Sequence, residues 1–354
     1  MVKKEKMEQT GHGQQVWPNI PDLSIPRQEQ EVEKVLTDLH KKFGAESVLL
    51  MSEEAVNRKH PVFPSGSIGL DSLLGVGGWP FGRIIEALGP EQSGKTTMAL
   101  MAAASIQRIG GTVAYIDAEH SVDLPYAAKI GVDIRKMLLS QPSSGEEALN
   151  IAETLAKSGT VNLIIVDSVS ALTPQAELDG AIGDRHIGLQ AQLMSQALRK
   201  LASVVHKAGN CSLFFINQIR YKIGVMFGSP ETSSGGKALK FYASVRLDVR
   251  KTTLIKKGEE VIGQKVKLKI VKNKVAPPFR ETEVEMIYGR GIWRAGEIVD
   301  LGVKYGVIEK SGSWLSYQGE RLGLGRDNAA VHLEQRPELY TEVEGHVRSK
   351  ALGV

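Results

Sequence analysis

A nine-residue stretch at positions 89–97 constrains the fold of this chain more than any other feature of its sequence. It has the G-x-x-x-x-G-K-S/T spacing of a phosphate-binding loop and consists of Gly89, Pro90, Glu91, Gln92, Ser93, Gly94, Lys95, Thr96 and Thr97. Residues 83–88 predict a short strand before the loop, and residues 97–109, rich in Ala, Met and Leu, predict a helix after it. Such a loop directs backbone N–H groups and the positive end of a helix dipole at an anion. We therefore expect ATP here, with Lys95 reaching its β- and γ-phosphates and the Thr96 hydroxyl holding Mg²⁺.

Composition limits the class of protein without naming a partner. The 354 residues are 42% hydrophobic and 24% charged, which suits one large α/β domain and a smaller companion. The net charge of +4 permits nucleic acid as a partner but does not require it. The single cysteine, Cys211, excludes a disulfide framework and a four-cysteine zinc site, and it suits a reducing cytoplasm. We find neither a membrane span nor an export signal, so a cytoplasmic location is expected.

Strand and helix patterns alternate after the loop, as in a mostly parallel sheet covered on both faces. Strands are predicted at 112–117, 161–166, 211–217 and 241–249, and a helix at 145–157. The fold class is therefore α/β, with a phosphate-loop core, an N-terminal helix behind a leader, and a small α+β C-terminal domain. The expected boundaries are a flexible leader at 1–27, a helical oligomerisation segment at 28–60, the core at 61–292 and the small domain at 293–354. The helix at 28–43 has an apolar stripe, which can pack on its own domain or on a neighbouring subunit.

Two acidic residues end strands at the edge where open α/β sheets bind their ligands. Asp167 closes the strand at 161–166 and is suited to holding Mg²⁺ beside the phosphates. Glu119 follows the strand at 112–117, and hydrolysis needs a residue that positions or deprotonates water. We expect both carboxylates to face the nucleotide.

Two long segments, 177–188 and 219–236, show no period, and loops of this length in a compact domain are usually functional or disordered. The second begins directly after Gln218, at a strand end on the nucleotide edge. Its cations, apolar side chains and glycines suit a nucleotide-gated grip on single-stranded nucleic acid. The alternative is a surface lid that only shields ATP.

The stretch 265–274 breaks the alternation of apolar and charged residues that a half-buried strand predicts. Val266, Leu268 and Ile270 share one face of a predicted strand, yet Lys272 and Lys274 fall on the same apolar face. The two ammonium groups either snorkel at the sheet edge or meet an anion.

Over residues 32–347 the sequence resembles the bacterial RecA recombinases. The similar motifs are the loop at 89–97, DAEH at 117–120, VDS at 166–168, FINQIR at 215–220, IGVMFG at 223–228, ALKFYA at 238–243 and VKNK at 271–274. The resemblance implies a DNA-dependent ATPase that forms a helical filament on single-stranded DNA, pairs it with double-stranded DNA and exchanges strands. It also implies that the filament promotes self-cleavage of an SOS repressor.

The resemblance also implies roles for individual residues. Glu119 would activate water and Gln218 would sense the γ-phosphate, while Asp123, Tyr126 and Tyr288 would form the adenine pocket. Lys272 and Lys274 would enter the ATP site of the adjacent subunit, and the helix at 28–43 and Phe241 would contact that neighbour. The two aperiodic segments would be the DNA loops, with DNA contacts from Arg185, Ile187, Ser195, Arg199, Arg220, Ile223, Met226, Phe227, Gly235, Gly236 and Lys237.

Two departures from the family pattern lie beside these loops. Gln192 stands where an arginine is common, and Lys237 stands where an asparagine is common. Three other kinds of protein compete with this resemblance. A RadA-type motor would carry a four-cysteine module, which one cysteine excludes; a closed-ring helicase and a DNA-coating protein with a purely structural nucleotide stay open at this point.

Overall fold

The computed structural model describes residues 27–45, 47–51, 59–181, 184, 186, 188–221 and 231–353. It divides into two units, 1–58 and 59–354. In the first unit, helix α1 (Arg27–Phe43) confirms the predicted N-terminal helix and ends at Gly44, whose φ is 93°. Val32, Val35 and Phe43 of this helix are exposed. The predicted leader lies almost wholly outside the described residues.

The second unit is built on a mixed, mostly parallel sheet. Its described strands are β3 (Ile84–Gly89), β4 (Val113–Asp117), β5 (Met137–Ser140), β6 (Leu163–Asp167), β7 (Ser212–Tyr221), β8 (Glu231–Ser233), β9 (Val245–Lys257), β10 (Glu260–Asn273), β11 (Glu281–Ile287) and β12 (Gly291–Ile292). The order is β12-β11-β10-β9-β3-β7-β6-β4-β5, with β8 paired to β7. Strands β9, β3, β7, β6, β4 and β5 are parallel, and the others pair antiparallel. A short antiparallel pair, β1 (Val62–Phe63) and β2 (Trp79–Pro80), lies outside this sheet.

Helices cover both faces of the sheet, as the alternating pattern predicts. They are α2 (Ile68–Leu74), α3 (Lys95–Arg108), α4 (Leu124–Ile130), α5 (Gly145–Lys157), α6 (Gln175–Leu178), α7 (Leu189–Ala208) and α8 (Ala238–Tyr242). One apolar core packs α3 against the sheet through residues such as Met98 and Phe214. The core on the opposite face packs α5 and α7 through Leu149 and Leu198. The strand ends between these two cores position the functional side chains.

The C-terminal residues form the small α+β domain that the sequence predicts. It consists of α9 (Arg294–Lys304), β13 (Glu309–Ser311), β14 (Trp314–Tyr317), β15 (Glu320–Leu324), α10 (Arg326–Gln335) and α11 (Pro337–Leu352), around its own apolar cluster. The buried Glu297 carboxylate attaches it to the core by accepting hydrogen bonds from Ser67 Oγ and the Ile68 and Gly69 N–H groups, at 2.5, 3.2 and 3.0 Å. Burial raises the pKa of Glu297. A second link joins Arg348 Nη1 to Asp71 Oδ2 at 3.0 Å.

Two element predictions near the DNA segments are wrong in part. The strand expected at 241–249 begins only at Val245, because residues up to Tyr242 form the one-turn helix α8. The segment 219–236 is not without secondary structure throughout, because Ile219–Tyr221 continue β7 and pair antiparallel with Glu231–Ser233. This pairing depends on a partner segment beyond residues 222–230, so it leaves no periodic signal within either segment.

The position of Lys272 on the predicted apolar face of β10 is explained by a local irregularity of the strand. The pairing with β9 runs Ile270 to Leu247 and then Lys272 to Arg246, so the register shifts at a β-bulge between Ile270 and Lys272. A bulge reverses the inward–outward alternation of the residues that follow it. Lys272 therefore leaves the face on which Val266, Leu268 and Ile270 are buried.

Within the described residues, no helix is both long and apolar enough to cross a membrane.

Candidate nucleotide site

The phosphate-binding loop has glycines at two positions where a side chain does not fit. It joins β3 to α3, and Gly94 at the helix N-cap has a φ of 100°. A Cβ on Gly94 would lie 2.6 Å from Met286 Sδ, and one on Gly89 would lie 2.2 Å from the Val249 carbonyl oxygen. Within the loop, Lys95 Nζ donates to the Pro90 carbonyl at 2.6 Å. Burial lowers the pKa of Lys95, and the nearby carboxylates of Asp167 and Glu119 oppose that shift.

Asp167 lies at the end of β6, where the register pairs it with Asp117 of β4. Its Oδ2 accepts hydrogen bonds from Thr96 Oγ1 at 3.1 Å and from the Tyr115 hydroxyl at 2.6 Å. Burial raises the pKa of Asp167, an effect reduced by these two donors and reinforced by the charge of Glu119. The hydroxyl of Thr96 and the carboxylate of Asp167 thus meet beside the loop, as the sequence predicts.

Glu119 is exposed just beyond β4 and receives hydrogen bonds from two other strands. Ser168 Oγ, directly after β6, donates to Glu119 Oε1, and Gln218 Nε2 on β7 donates to the same oxygen at 3.2 Å. Asp117, two residues earlier, is instead engaged by the Ser121 and Val122 N–H groups at 3.1 Å each. Asp117 therefore shapes the turn, while Glu119 is accessible to solvent.

A cleft of about 400 Å³ opens beside the loop, lined by Gln92, Gly94, Lys95, Thr96, Thr97, Tyr126, Lys251, Gln264, Met286 and Tyr288. The Tyr126 hydroxyl and Thr97 Oγ1 are hydrogen bonded at 2.7 Å, and burial raises the pKa of Tyr126. Asp123 caps α4 by accepting from the Tyr126 N–H at 2.9 Å. The cleft thus brings two of the predicted adenine residues, Tyr126 and Tyr288, next to the phosphate loop.

Lys272 and Lys274 are not among the residues that line this cleft. Lys272 Nζ donates to the carbonyls of Lys240 and Phe241 at 2.7 and 2.8 Å, at the end of α8. Burial, with the neighbouring charge of Lys274, lowers the pKa of Lys272 to about 8. Lys274 and Phe241 are exposed beside it.

Comparison with known proteins agrees with this geometry. The family model of the RecA N-terminal domain matches residues 30–293, and that of the RecA C-terminal domain matches residues 296–352. The chain is 54% identical over 319 residues to Protein RecA of Geobacter sulfurreducens, covering 90% of this chain and 94% of that one. It is 56% identical over 317 residues to Protein RecA of Allochromatium vinosum, covering 90% and 91%. For Protein RecA of Macrococcus caseolyticus the identity is 54% over 330 residues and 93% of each chain.

The chain belongs to the RecA family. RecA-family proteins are DNA-dependent ATPases that act in recombination and repair, so this chain is a recombinase with ATP hydrolase activity. Family membership also supports ATP binding by the phosphate loop, DNA binding and filament formation. It removes the ring-helicase and non-catalytic alternatives that the sequence left open.

The structure locates six of the eleven residues that the RecA resemblance assigns to DNA. Ser195 and Arg199 are one turn apart on α7, and Arg220 Nε on β7 donates to Ser234 Oγ at 3.1 Å. Gly235 is buried, and Gly236 and Lys237 are exposed next to it. The other five lie outside the described residues: Arg185, Ile187, Ile223, Met226 and Phe227.

Sequence reasoning missed several residues that contact the predicted ones. Tyr115 binds Asp167 and Ser168 binds Glu119, while Gln264 Nε2 donates to the loop carbonyl of Gln92 at 3.0 Å. For Tyr115 the sequence contains a signal. It lies two residues before Asp117, so both side chains are on the same face of β4, and β4 is the strand next to the one that ends at Asp167. The neutral side chains of Ser168 and Gln264 give no comparable signal in one sequence.

Proposed function

We propose that the chain hydrolyses ATP at Glu119 and uses the nucleotide to control its grip on single-stranded DNA. The observation that carries this proposal is the sharing of Glu119 Oε1 by Ser168 and Gln218. It connects the carboxylate next to the nucleotide cleft with the strand that leads into a DNA segment. A residue in that position can respond to the γ-phosphate and transmit the response along β7.

The nucleotide is proposed to bind with its phosphates in the loop at 89–97 and its base against Asp123, Tyr126 and Tyr288. The cleft beside the loop, which Tyr126 and Tyr288 help to line, supports this orientation. Thr96 and Asp167 would hold Mg²⁺, which neutralises phosphate charge when bound. Glu119 is the proposed group that accepts a proton from the attacking water, since its carboxylate is solvent-accessible whereas that of Asp167 is buried.

Coupling to DNA is proposed to pass from Gln218 into the hairpin of β7 and β8. Asn217 Nδ2 donates to Glu86 Oε1 at 2.9 Å and to the Ser234 carbonyl at 3.3 Å, so it links the two arms of this hairpin to β3. A displacement of Gln218 towards the γ-phosphate therefore displaces both arms. The hairpin leads to Gly235, Gly236 and Lys237 on one side and to residues 222–230 on the other.

In the filament, Lys272 and Lys274 are proposed to enter the ATP site of the adjacent subunit, and α1 and Phe241 to pack on that subunit. Lys272 is not among the residues that line its own chain's cleft and instead contacts the carbonyls of Lys240 and Phe241, which agrees with a role in trans. We further propose that the filament on single-stranded DNA pairs with double-stranded DNA, promotes self-cleavage of an SOS repressor, and acts in the cytoplasm.

The test is ATP hydrolysis with and without single-stranded DNA in three variants. Glu119→Gln is expected to bind ATP and DNA but to hydrolyse at least about a hundredfold more slowly, because general-base catalysis typically contributes 10²–10⁴-fold. Lys95→Ala is expected to lose nucleotide binding, and Glu259→Gln, in the exposed turn between β9 and β10, serves as the matched control. Hydrolysis by Glu119→Gln at the wild-type rate on DNA would show that another residue activates water.

A further inference from the structure

Glu119 is connected to the DNA segments in two directions by hydrogen bonds. One direction runs through Gln218, whose side chain donates to Glu119 and whose carbonyl accepts from the Ser234 N–H at 3.4 Å. The other begins at Ser168, whose hydroxyl donates to Glu119 and lies 2.5 Å from the hydroxyl of Ser170. The first direction belongs to the function proposed above, and the second is not explained by it.

Gln190 completes the second direction with a single side-chain amide. Its Nε2, which has two N–H donors, lies within hydrogen-bond distance of the carbonyls of Val169, Ser170 and Leu172, at 2.9, 3.4 and 3.2 Å. Its Oε1 accepts from the Gly235 N–H at 3.2 Å. The amide therefore links two segments. One is the short 3₁₀ turn Val169–Ala171, directly after Asp167 and Ser168, and the other is the segment that ends the second DNA loop.

The same junction is closely packed at both glycines. A Cβ on Gly235 would lie 2.7 Å from Val169 Cγ1, and one on Gly236 would lie 2.8 Å from Ala191 Cβ. Gln190 and Ala191 are at the start of α7, directly after the first DNA segment. The 3₁₀ turn, the start of α7 and the glycine pair thus form one contiguous unit beside Glu119.

We propose that Gln190 is a positioning residue that transmits the state of the Glu119 site to both DNA segments, by a route separate from Gln218. This inference rests on the proposed coupling of ATP to DNA affinity. Gln190 touches neither the cleft nor the proposed phosphate-binding residues, so it acts through the carbonyls of the turn and the N–H of Gly235. A nucleotide-dependent shift of Ser168 and Ser170 displaces the start of α7 and Gly235 together.

The experiment compares the affinity of the full chain for a fluorescent oligo(dT), with and without AMP-PNP, in wild type and Gln190→Met. The methionine keeps the volume and removes the amide hydrogen bonds. We expect nucleotide affinity in the absence of DNA to stay within about twofold and the AMP-PNP-dependent gain in DNA affinity to fall at least about fivefold, within the usual range of allosteric coupling. Gln196→Met, the same change at an exposed position of α7, should leave the gain unchanged. An unchanged gain in Gln190→Met overturns the inference.

A double-mutant cycle separates a coupling route from a general loss of structure. Ser170→Ala interrupts the same route at its other end without changing Gln190, so Ser170→Ala and the double variant with Gln190→Met should show the same reduced gain. Gln190→Met combined with Gln218→Ala should instead lose more than either variant alone. Additive effects of Ser170→Ala and Gln190→Met would overturn the inference and leave the proposed function intact. Absence of any AMP-PNP-dependent gain in wild type would overturn the proposed coupling and the inference together.

Discussion

Lys237 is one of the two residues beside the DNA segments at which this sequence departs from the pattern that the resemblance implies. It is exposed at the N-cap of α8, directly after Gly235 and Gly236, whose φ angles are 74° and 75°. The exposed backbone at Gly236 can approach a phosphate, and the ammonium of Lys237 adds a positive charge close to it, whereas Gln192 on α7 is neutral. We infer that Lys237 contributes one phosphate contact to DNA binding.

The substitution Lys237→Asn tests this contact through the salt dependence of binding. Each phosphate neutralised on a single strand contributes about 0.7 to the slope of log affinity against log salt concentration. We expect the variant to have a slope shallower by about that amount and weaker binding to all sequences alike. Oligonucleotide titrations at several salt concentrations with AMP-PNP present measure it, and an equal slope in wild type and variant would assign Lys237 to ordinary surface.

Lys272 gives a prediction about pH. Its pKa is lowered to about 8 in the isolated chain, chiefly by burial. Beside a phosphate of the neighbouring subunit the charged form is favoured, so its pKa rises and filament assembly takes up a proton. Assembly with AMP-PNP should therefore weaken as pH rises above about 8, by up to about tenfold per pH unit until the raised pKa is reached.

A comparison of Lys272→Arg with Lys256→Arg, an exposed position on β9, checks this assignment. The arginine stays charged throughout the range, so the decline above pH 8 should disappear in Lys272→Arg and persist in Lys256→Arg. Sedimentation of filaments on oligo(dT) between pH 7 and 10 gives the measurement. A decline of equal steepness in Lys272→Arg and wild type would assign the pH dependence to another group.

At the scale of secondary structure, a buried ion pair joins the two strands nearest the phosphate loop. Arg246 Nε on β9 donates to Glu86 Oε2 on β3, and the Glu86 side chain is fully buried. Asn217 on β7 also donates to Glu86 at 2.9 Å. The pair therefore ties together the strand before the phosphate loop, the strand of Gln218 and the strand opposite Lys272.

Arg246→Met should lower the free energy of unfolding by about 3 kcal/mol or more, because it leaves the Glu86 carboxylate buried without its charge partner. The double variant Glu86→Gln/Arg246→Met should recover part of that loss, since no uncompensated charge then stays buried. Lys256→Met, exposed on the same strand, is the matched control. Urea denaturation followed by circular dichroism provides the values, and a double variant no more stable than Arg246→Met would contradict the explanation.

The sequence predicts those elements whose signal is contained in one short segment. The predicted helix at 145–157 agrees with α5 at both ends, and β3 and α3 lie within two residues of their expected positions, because periodicity and composition are local properties. The start of β9, the hairpin of β7 with β8 and the bulge before Lys272 depend on which strands pair. That information is not present in the spacing of residues along one strand.

The same distinction applies to the candidate site. Asp167, Glu119 and Gln218 could be grouped from the sequence because each lies at or just after the end of a predicted strand of one parallel sheet, and the structure brings all three together. Ser168 and Gln190 could not, because their contribution is a hydrogen bond whose partner is set by packing. Glu297 illustrates this most clearly, since its carboxylate binds the start of α2 more than two hundred residues away in sequence.

At the scale of the whole molecule, the proposed ATP hydrolysis requires more than one copy of the chain. The site holding Glu119 is proposed to be completed by Lys272 and Lys274 of an adjacent subunit. A head-to-tail contact of this kind generates an open filament in which every internal site has a neighbour. Variants that each lack one half of the site should therefore complement each other.

The most direct measurement is ATP hydrolysis by an equimolar mixture of Lys272→Ala and Glu119→Gln proteins on single-stranded DNA. Either protein alone should be nearly inactive. In mixed filaments about one interface in four pairs an intact Glu119 with an intact Lys272, so hydrolysis should return to roughly that fraction of the wild-type rate. A mixture that stays inactive, in filaments shown by labelling to contain both proteins, would contradict a site shared between subunits.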